Sequence, residues 1–135
     1  NEIPQNATTI ELHSELPSDE LYRNAYRMLR QQGFRFSETN EEMLDLSTEG
    51  TKVGNSQVDL RIDLFVEQLD DGSILTATAE YELTPGNWRP VAFKDSGTKY
   101  KLGFEELVLL LRNLENTEMT YIVDEDRANR AFGIN

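Results

Sequence analysis

Cysteine is absent from this 135-residue chain, and histidine occurs only once, at His13. The first absence excludes disulfide bonds, thiolate metal sites and a cysteine nucleophile. Together the two exclude the usual transition-metal sites, which are built from several sulfur and nitrogen ligands. A catalytic triad would need a serine beside His13, but Ser14 points to the opposite side of a strand. We therefore predict no catalytic residue, no metal site and no cofactor.

Basic residues are also few, with 13 Lys and Arg against 25 Asp and Glu, so the net charge is −12. A surface of this sign repels phosphate backbones and anionic lipid headgroups, and we expect no nucleic-acid partner. No stretch approaches the ~18 consecutive apolar residues of a membrane helix, so we expect no membrane span in this chain. The acidity favours solubility through self-repulsion. A saline habitat and a basic partner are the alternative explanations.

The length and the 38% hydrophobic content are typical of one globular domain. Internal repeats, low-complexity tracts and linkers are all absent. We predict a single domain with a polar leader over 1–7, an α+β core over 8–115 and a C-terminal tail or short helix over 116–135.

Helix signals occur near both ends of the chain. Apolar residues at helical spacing follow Ser18, a favourable N-cap, and lead to Gly33, which is typical of the position after a helix. A broad apolar arc over 103–115 predicts a second helix. Near the C-terminus, Asp124 is placed to cap a short helix that Gly133 would end.

Strand signals fill the rest of the chain. A first strand is predicted over 8–13, before the first helix, and two more follow it over 34–37 and 43–47. The two longest strands are predicted over 58–67 and 74–83, where apolar and polar residues alternate. Strict alternation indicates strands with one buried face.

The segment 84–102 begins with turn residues, and Pro90 excludes a central strand there, so we predict an irregular segment. Residues 91–96 and 98–102 are predicted to form short strands or an ordered loop within it. The order is then β-α-β-β-β-β-(irregular)-α. This order predicts an α+β fold with an antiparallel sheet of four to six strands and helices packed on one face. Because the strands alternate instead of running continuously apolar, a doubly wound parallel sheet is not expected.

The two longest strands form a hairpin whose faces can be assigned by their alternation. The buried face is predicted to carry Val58, Leu60, Ile62, Leu64 and Val66 on one strand, and Leu75, Ala77, Ala79, Tyr81 and Leu83 on the other. A two-residue turn at Asp71-Gly72 would place Leu64 opposite Ala79 and, on the other face, Asp63 opposite Glu80. The register would thus pair apolar residues throughout the inner face.

The other face of this hairpin is the best candidate for a binding surface. Three apolar side chains there need a cover, which the irregular segment around Trp88, the C-terminal tail or a partner subunit would supply. The opposed carboxylates could bind a hard cation or share a proton, and a solvated strand face is the alternative. The candidate ligand-binding or partner-binding residues are Phe65, Leu69, Ile74, Asp63, Glu80 and Trp88.

Aromatic residues are spread along the chain and suggest a second hypothesis. They could line a cavity between the sheet and the C-terminal helix, as in a carrier of small apolar ligands or a cyclase-like enzyme. In most small α+β domains such residues fill the core instead.

The opening stretch carries a resemblance. A strand is followed by the phrase Pro17-Ser18-Asp19-Glu20-Leu21-Tyr22 at a helix start and then by a meander of strands. This order resembles bacterial envelope domains of TATA-binding-protein-like or helix-grip fold, including small secreted lipoprotein domains. The outer-membrane-assembly lipoprotein with helix-grip domains is a more distant comparison. The resemblance covers residues 8–83, supplies no catalytic residues, and implies an exported domain that binds another protein or an envelope component.

These observations lead us to expect a non-enzymatic binding or assembly module of the bacterial cell envelope. The partner would be another protein or a second copy of the chain, bound through the open hairpin face. The chain begins at Asn1 and not at methionine, which fits a fragment or a mature form whose targeting segment was removed. We expect a location in the periplasm or at the outer membrane. A lipid anchor upstream would agree with the lipoprotein resemblance, and a cytoplasmic location is the alternative.

Overall fold

The computed structural model describes residues 2–53, 58–95 and 98–133. Over these residues the chain is an α+β protein with eight strands and three helices, which confirms the predicted class but exceeds the predicted number of strands. The elements are β1 (Thr9–Ser14), α1 (Ser18–Gln31), β2 (Phe36–Asn40), β3 (Asp45–Thr48), β4 (Thr51–Val53), β5 (Val58–Gln68), β6 (Ser73–Thr84), β7 (Asn87–Pro90), α2 (Thr98–Leu111), β8 (Thr117–Ile122) and α3 (Glu125–Phe132).

All strand pairs are antiparallel, and the sheet has the order β2-β3-β5-β6-β1-β8. Two short strands lie off this order. β4 pairs with β5 along another stretch of the side that β3 occupies, and β7 pairs with β6 along another stretch of the side that β1 occupies. The first strand of the chain thus lies in the interior of the sheet. Its inward residues Ile10 and Leu12 are fully buried, as expected for a strand with neighbours on both sides.

Three segments differ from the sequence predictions. The segment 84–102 contains β7 and the start of α2, which begins at Thr98 instead of residue 103. Pro90 is tolerated because it ends β7, a short strand that pairs only with β6 among the described residues. Between the predicted third strand and the hairpin lies β4, and the tail contains the full strand β8.

The hairpin of β5 and β6 has its predicted faces but a different register. Its loop has four residues, since Gln68 pairs with Ser73 and the Leu69 N–H donates to the Gly72 carbonyl at 2.9 Å. The prediction of a two-residue turn at Asp71-Gly72 is therefore wrong. The pairing moves by two residues, which leaves every side chain on its predicted face.

The shift changes which side chains meet. Leu64 lies opposite Ala77 and not Ala79, so apolar residues still face each other on the inner side. On the other side, Arg61 lies opposite Glu80, and Asp63 lies opposite Thr78. The predicted opposition of Asp63 and Glu80 is wrong.

The main core lies between the inner face of the sheet and the two long helices, α1 and α2, both of which contact β5 and β6. Leu21, Ala25 and Leu29 of α1 and Phe104, Leu107 and Leu111 of α2 are at most 1% exposed. Packing of these two helices on one face agrees with the prediction. The short helix α3 contacts β7 and forms a separate small cluster with Ala92.

The two ends of α1 differ in how well their caps were predicted from the sequence. Gly33 has φ +94°, and its N–H and that of Phe34 donate to Arg30 and Leu29, which completes the predicted C-terminal cap of α1. At the other end the prediction is wrong, because Pro17 occupies the N-cap and Ser18 is the first helical residue. The Ser18 N–H is instead satisfied by the side chain of Gln68, at 2.8 Å.

The predicted C-terminal helix is confirmed as α3. The Asp124 carboxylate accepts a hydrogen bond from the Arg127 N–H at 3.2 Å, and Gly133 ends the helix with φ +73°. None of the described helices has the length and apolarity needed to cross a membrane.

Candidate partner-binding surface

The side of the sheet opposite α1 and α2, here called the outer face, carries the predicted candidate residues. One row of side chains runs across it at the level of Phe65. Phe65 pairs with Asp45 on one side and Thr76 on the other, Thr76 pairs with Glu11, and Glu11 pairs with Thr120. Because directly paired residues share a face, these five side chains come from five neighbouring strands and point the same way.

A second row lies next to the first, closer to the hairpin loop. Glu67 pairs with Ile74, Ile74 with His13, and His13 with Glu118. The two rows together contain four carboxylates and neither lysine nor arginine. The surface they form is therefore negatively charged at neutral pH, apart from its apolar members.

The apolar members form what we call the apolar patch: Phe65, Leu69 and Ile74. Phe65 is 42% exposed and Leu69 is 43% exposed, while Ile74 is half-buried. Ile74 is diagonal to Phe65 across the strand pair, a separation that an aromatic side chain can bridge. The part of the chain that the structure describes leaves this patch open to solvent. Neither Trp88 nor α3 covers it enough to bury Phe65.

The predicted carboxylate pair does not form. Glu80 instead accepts a hydrogen bond from the Arg61 Nε at 2.8 Å, in a partly buried ion pair. Asp63 is exposed, lies opposite Thr78 and Ser47, and accepts a hydrogen bond from the Ser47 hydroxyl. The two carboxylates thus have separate partners, and the proposed sharing of a cation or a proton between them lacks its geometric basis.

Trp88 belongs to a different part of the outer face. Its ring centre lies 4.4 Å from the Arg61 guanidinium carbon, and Glu82 is its pairing partner on β6. A Cβ at Gly50 would overlap the Trp88 ring, so the indole packs directly against that backbone. Trp88 and Glu80 therefore serve an internal contact around Arg61, whereas the apolar patch has no such role.

Metal binding finds no support in the described residues, which contain no group of three or more His, Asp and Glu placed to hold an ion. The outer-face carboxylates are spread over several strands, and in the described register none of them lies directly opposite another. The described part of this face therefore carries negative charge without a chelating cluster.

The core aromatics pack against one another. Phe104 of α2 lies 6.1 Å from Phe93 in an edge-to-face contact and 6.1 Å from Tyr121 of β8 in a tilted one. This arrangement is typical of side chains that fill a core.

A cleft of about 480 Å³, which sequence reasoning missed, lies between α1 and the turn that leads into β8. The residues that line it are Leu16, Glu20, Leu21, Asn24, Arg27, Met28, Gln31, Gln32, Asn113, Leu114, Glu115 and Asn116. No core aromatic is among them. Its walls come from segments far apart in the sequence, so no local pattern could have revealed it.

No protein-family model matches the sequence, and the search of curated proteins finds no match.

Proposed function

We propose that this chain is a non-enzymatic binding module of the bacterial cell envelope, and that the outer face of its sheet docks a basic protein surface. One observation carries the proposal: the apolar patch at Phe65 lies among carboxylates, in two rows that contain no lysine or arginine.

Two features of this surface specify the partner. The exposed ring of Phe65 supplies a large and rigid apolar contact, of the kind that contributes most to binding when a partner removes it from water. The surrounding carboxylates favour lysine and arginine in the partner and speed its approach at low salt. A partner of the matching type presents an apolar side chain within a basic surface.

A second copy of the chain fits this surface less well than a basic protein does. Each copy has a net charge of −12, and two outer faces brought together would oppose like charges across the interface. Charge complementarity therefore favours a different, basic protein.

The envelope location in this proposal follows from the resemblance of residues 8–83 to exported bacterial domains. It has its own test, because fractionation of the source cells, with detection of the chain in the periplasmic or membrane fraction, is independent of the binding surface. Recovery of the full-length product only in the cytoplasm would overturn the location and leave the binding proposal standing.

The docking surface is tested by site-specific crosslinking in cells of the source organism. The photoreactive residue p-benzoylphenylalanine replaces Phe65 in one variant and Leu109 in another. Leu109 is a matched control, because it is a 53% exposed apolar residue on α2. We expect a discrete adduct with one basic protein from position 65 and none from position 109.

Charge reversal then tests the role of the carboxylates. Glu67 lies beside the apolar patch, and Glu67→Lys should reduce the yield of the adduct several-fold. Added salt should also reduce the yield, because it screens the attraction between the carboxylates and the partner. Identical adducts from positions 65 and 109, no adduct from position 65, or a crosslinked dimer of the chain would each overturn the proposal.

A further inference from the structure

The two outermost strands of the sheet differ in how they end it. At one end, β2 has an irregular pairing between Phe36 and Glu38, and its last four residues are exposed. Irregular pairing and charge are common ways in which proteins prevent a further strand from adding to an edge. The Glu41 and Glu42 side chains in the following turn extend the acidic character of this edge.

At the other end, β8 also carries charge but pairs regularly. Its six residues pair with β1 without any shift of register, from Thr117 opposite Ser14 to Ile122 opposite Thr9. Proline is absent, and Glu118 is its single charged residue. Among the described residues, no strand pairs with its other side. The backbone groups on that side are available to a further strand.

The side chains of β8 specify what such a strand would look like. Glu118, Thr120 and Ile122 lie on the outer face, whereas Met119 and Tyr121 are half-buried and pack against the core. A strand that continues the sheet alternates in the same way. Basic side chains on its outer face would meet Glu118, and apolar ones on its inner face would extend the core beside Met119 and Tyr121.

Both ends of β8 carry further negative charge. Glu115 precedes the strand, and Asp124, Glu125 and Asp126 follow it, and all four are exposed. A second copy of β8 would bring the same charges to the same edge, so charge complementarity favours a basic strand. We infer that the β8 edge binds an extended segment of another protein, in which basic and apolar residues alternate, by addition of a strand to the sheet.

This edge is distinct from the apolar patch at Phe65, although Glu118 belongs both to β8 and to the rows of carboxylates on the outer face. Phe65 lies on β5, and two strands, β6 and β1, stand between β5 and β8. Strand addition at β8 therefore does not rest on the proposed contact at the apolar patch. A Phe65→Ser variant distinguishes them, since it should keep full affinity for the strand.

The test uses the whole chain and a defined probe, the peptide acetyl-Lys-Val-Lys-Val-Lys-Val-Lys-amide. Its control has the same charge but carries proline in place of the central valine, which removes a backbone donor and interrupts strand pairing. We expect saturable binding of the first peptide, at least tenfold weaker binding of the second, and slower hydrogen exchange in β8 on addition of the first.

Matched charge reversals complete the experiment. Glu118→Lys on β8 should weaken binding of the peptide about five- to tenfold, whereas Glu42→Lys, an equal charge change at the far end of the sheet, should leave it nearly unchanged. The inference is overturned if the peptide does not bind saturably, if it slows hydrogen exchange only outside β8, or if the two charge reversals have equal effects. It is also overturned if exchange in β8 slows only as the concentration of the chain rises, because that result would indicate self-association.

Discussion

The Arg61 guanidinium carbon lies 4.4 Å from the centre of the Trp88 ring, and the Arg61 Nε donates to Glu80 at 2.8 Å. These contacts join β5, β6 and β7 on the outer face. The Trp88 ring also packs against the backbone of Gly50, just before β4. One arginine and one tryptophan thus hold together segments that are close in space but distant along the chain.

Gly50→Ala should destabilise the protein because the new methyl group would overlap the Trp88 ring. We expect a loss of about 1–3 kcal/mol in the free energy of unfolding, the usual cost of overpacking. Urea unfolding measures this loss. Trp88 is the single tryptophan of the chain, so its fluorescence should also change in the folded state.

A double variant shows whether the methyl group acts through the indole. In a Trp88→Leu background, Gly50→Ala should cost clearly less than it does in the natural chain, because the overlapping ring is gone. An equal cost in both backgrounds would mean that the glycine is needed for its backbone and not for the ring.

Two adjacent residues of β5 should respond very differently to truncation. Phe65 is 42% exposed on the outer face, whereas Leu64 is 2% exposed and faces the core. Phe65→Ser should cost less than about 1 kcal/mol of folding free energy, and Leu64→Ala about 2–5 kcal/mol. Unfolding curves of the two variants test the assignment of the faces. Comparable losses would contradict an open apolar patch.

Gln68 joins the hairpin loop to the start of α1. Its Oε1 accepts from the Ser18 N–H at 2.8 Å, and its Nε2 donates to the carbonyls of Leu69 at 2.9 Å and Gly72 at 2.7 Å. Gln68→Ala should therefore lower the free energy of unfolding by about 1–2 kcal/mol, as expected for a lost helix cap and lost loop hydrogen bonds.

The neighbouring residue Glu67 provides the control for Gln68. It is exposed on the outer face and pairs with Ile74, so Glu67→Ala should change stability by less than about 0.5 kcal/mol. Thermal or urea unfolding of both variants gives the comparison. If the two variants are equally stable, the bonds of Gln68 contribute nothing measurable.

Glu106 on α2 links stability to pH. Burial, with a smaller contribution from the charge of Glu105, raises the pKa of Glu106 above its ordinary value of 4.5. In the pH range between the unfolded and the folded pKa, the folded state binds more protons, so this group lowers stability as the pH rises through that range. At neutral pH its charge is a cost to the folded state.

Glu106→Gln should therefore raise the free energy of unfolding at pH 7. The gain should shrink as the pH falls through the folded and then the unfolded pKa, and it should be lost well below 4.5, where the glutamate is neutral in both states. Glu42→Gln at an exposed turn is the control for loss of one negative charge. Equal gains for both variants at pH 7 would attribute the effect to net charge instead of burial.

The candidate residues show which parts of a surface can be predicted by pattern. Phe65 and Ile74 were assigned to the outer face because alternation is a local property, and the structure places both there. Glu80 and Trp88 were linked to the same site, but their contacts depend on which residues lie across from them. A two-residue shift of the hairpin keeps every face and changes every partner, so alternation cannot distinguish the two registers.

The β8 edge was missed for a related reason. Residues 117–122 alternate and are rich in residues that favour strands, which is a usable signal. That this strand lies at an edge, next to β1 and not next to β6, depends on the order in which distant strands pair. The residues of this segment alone do not determine the order of the strands in the sheet.

By itself, the sequence determined the α+β class, the inner and outer faces of the hairpin, the C-terminal cap at Gly33 and the helix that Asp124 begins. Each follows from neighbouring residues through periodicity or capping chemistry. The tertiary structure alone decided the four-residue loop, the interior position of β1, the cap of Ser18 by Gln68 and the contact of Trp88 with Arg61. These depend on contacts between distant segments, which form only when the whole core packs.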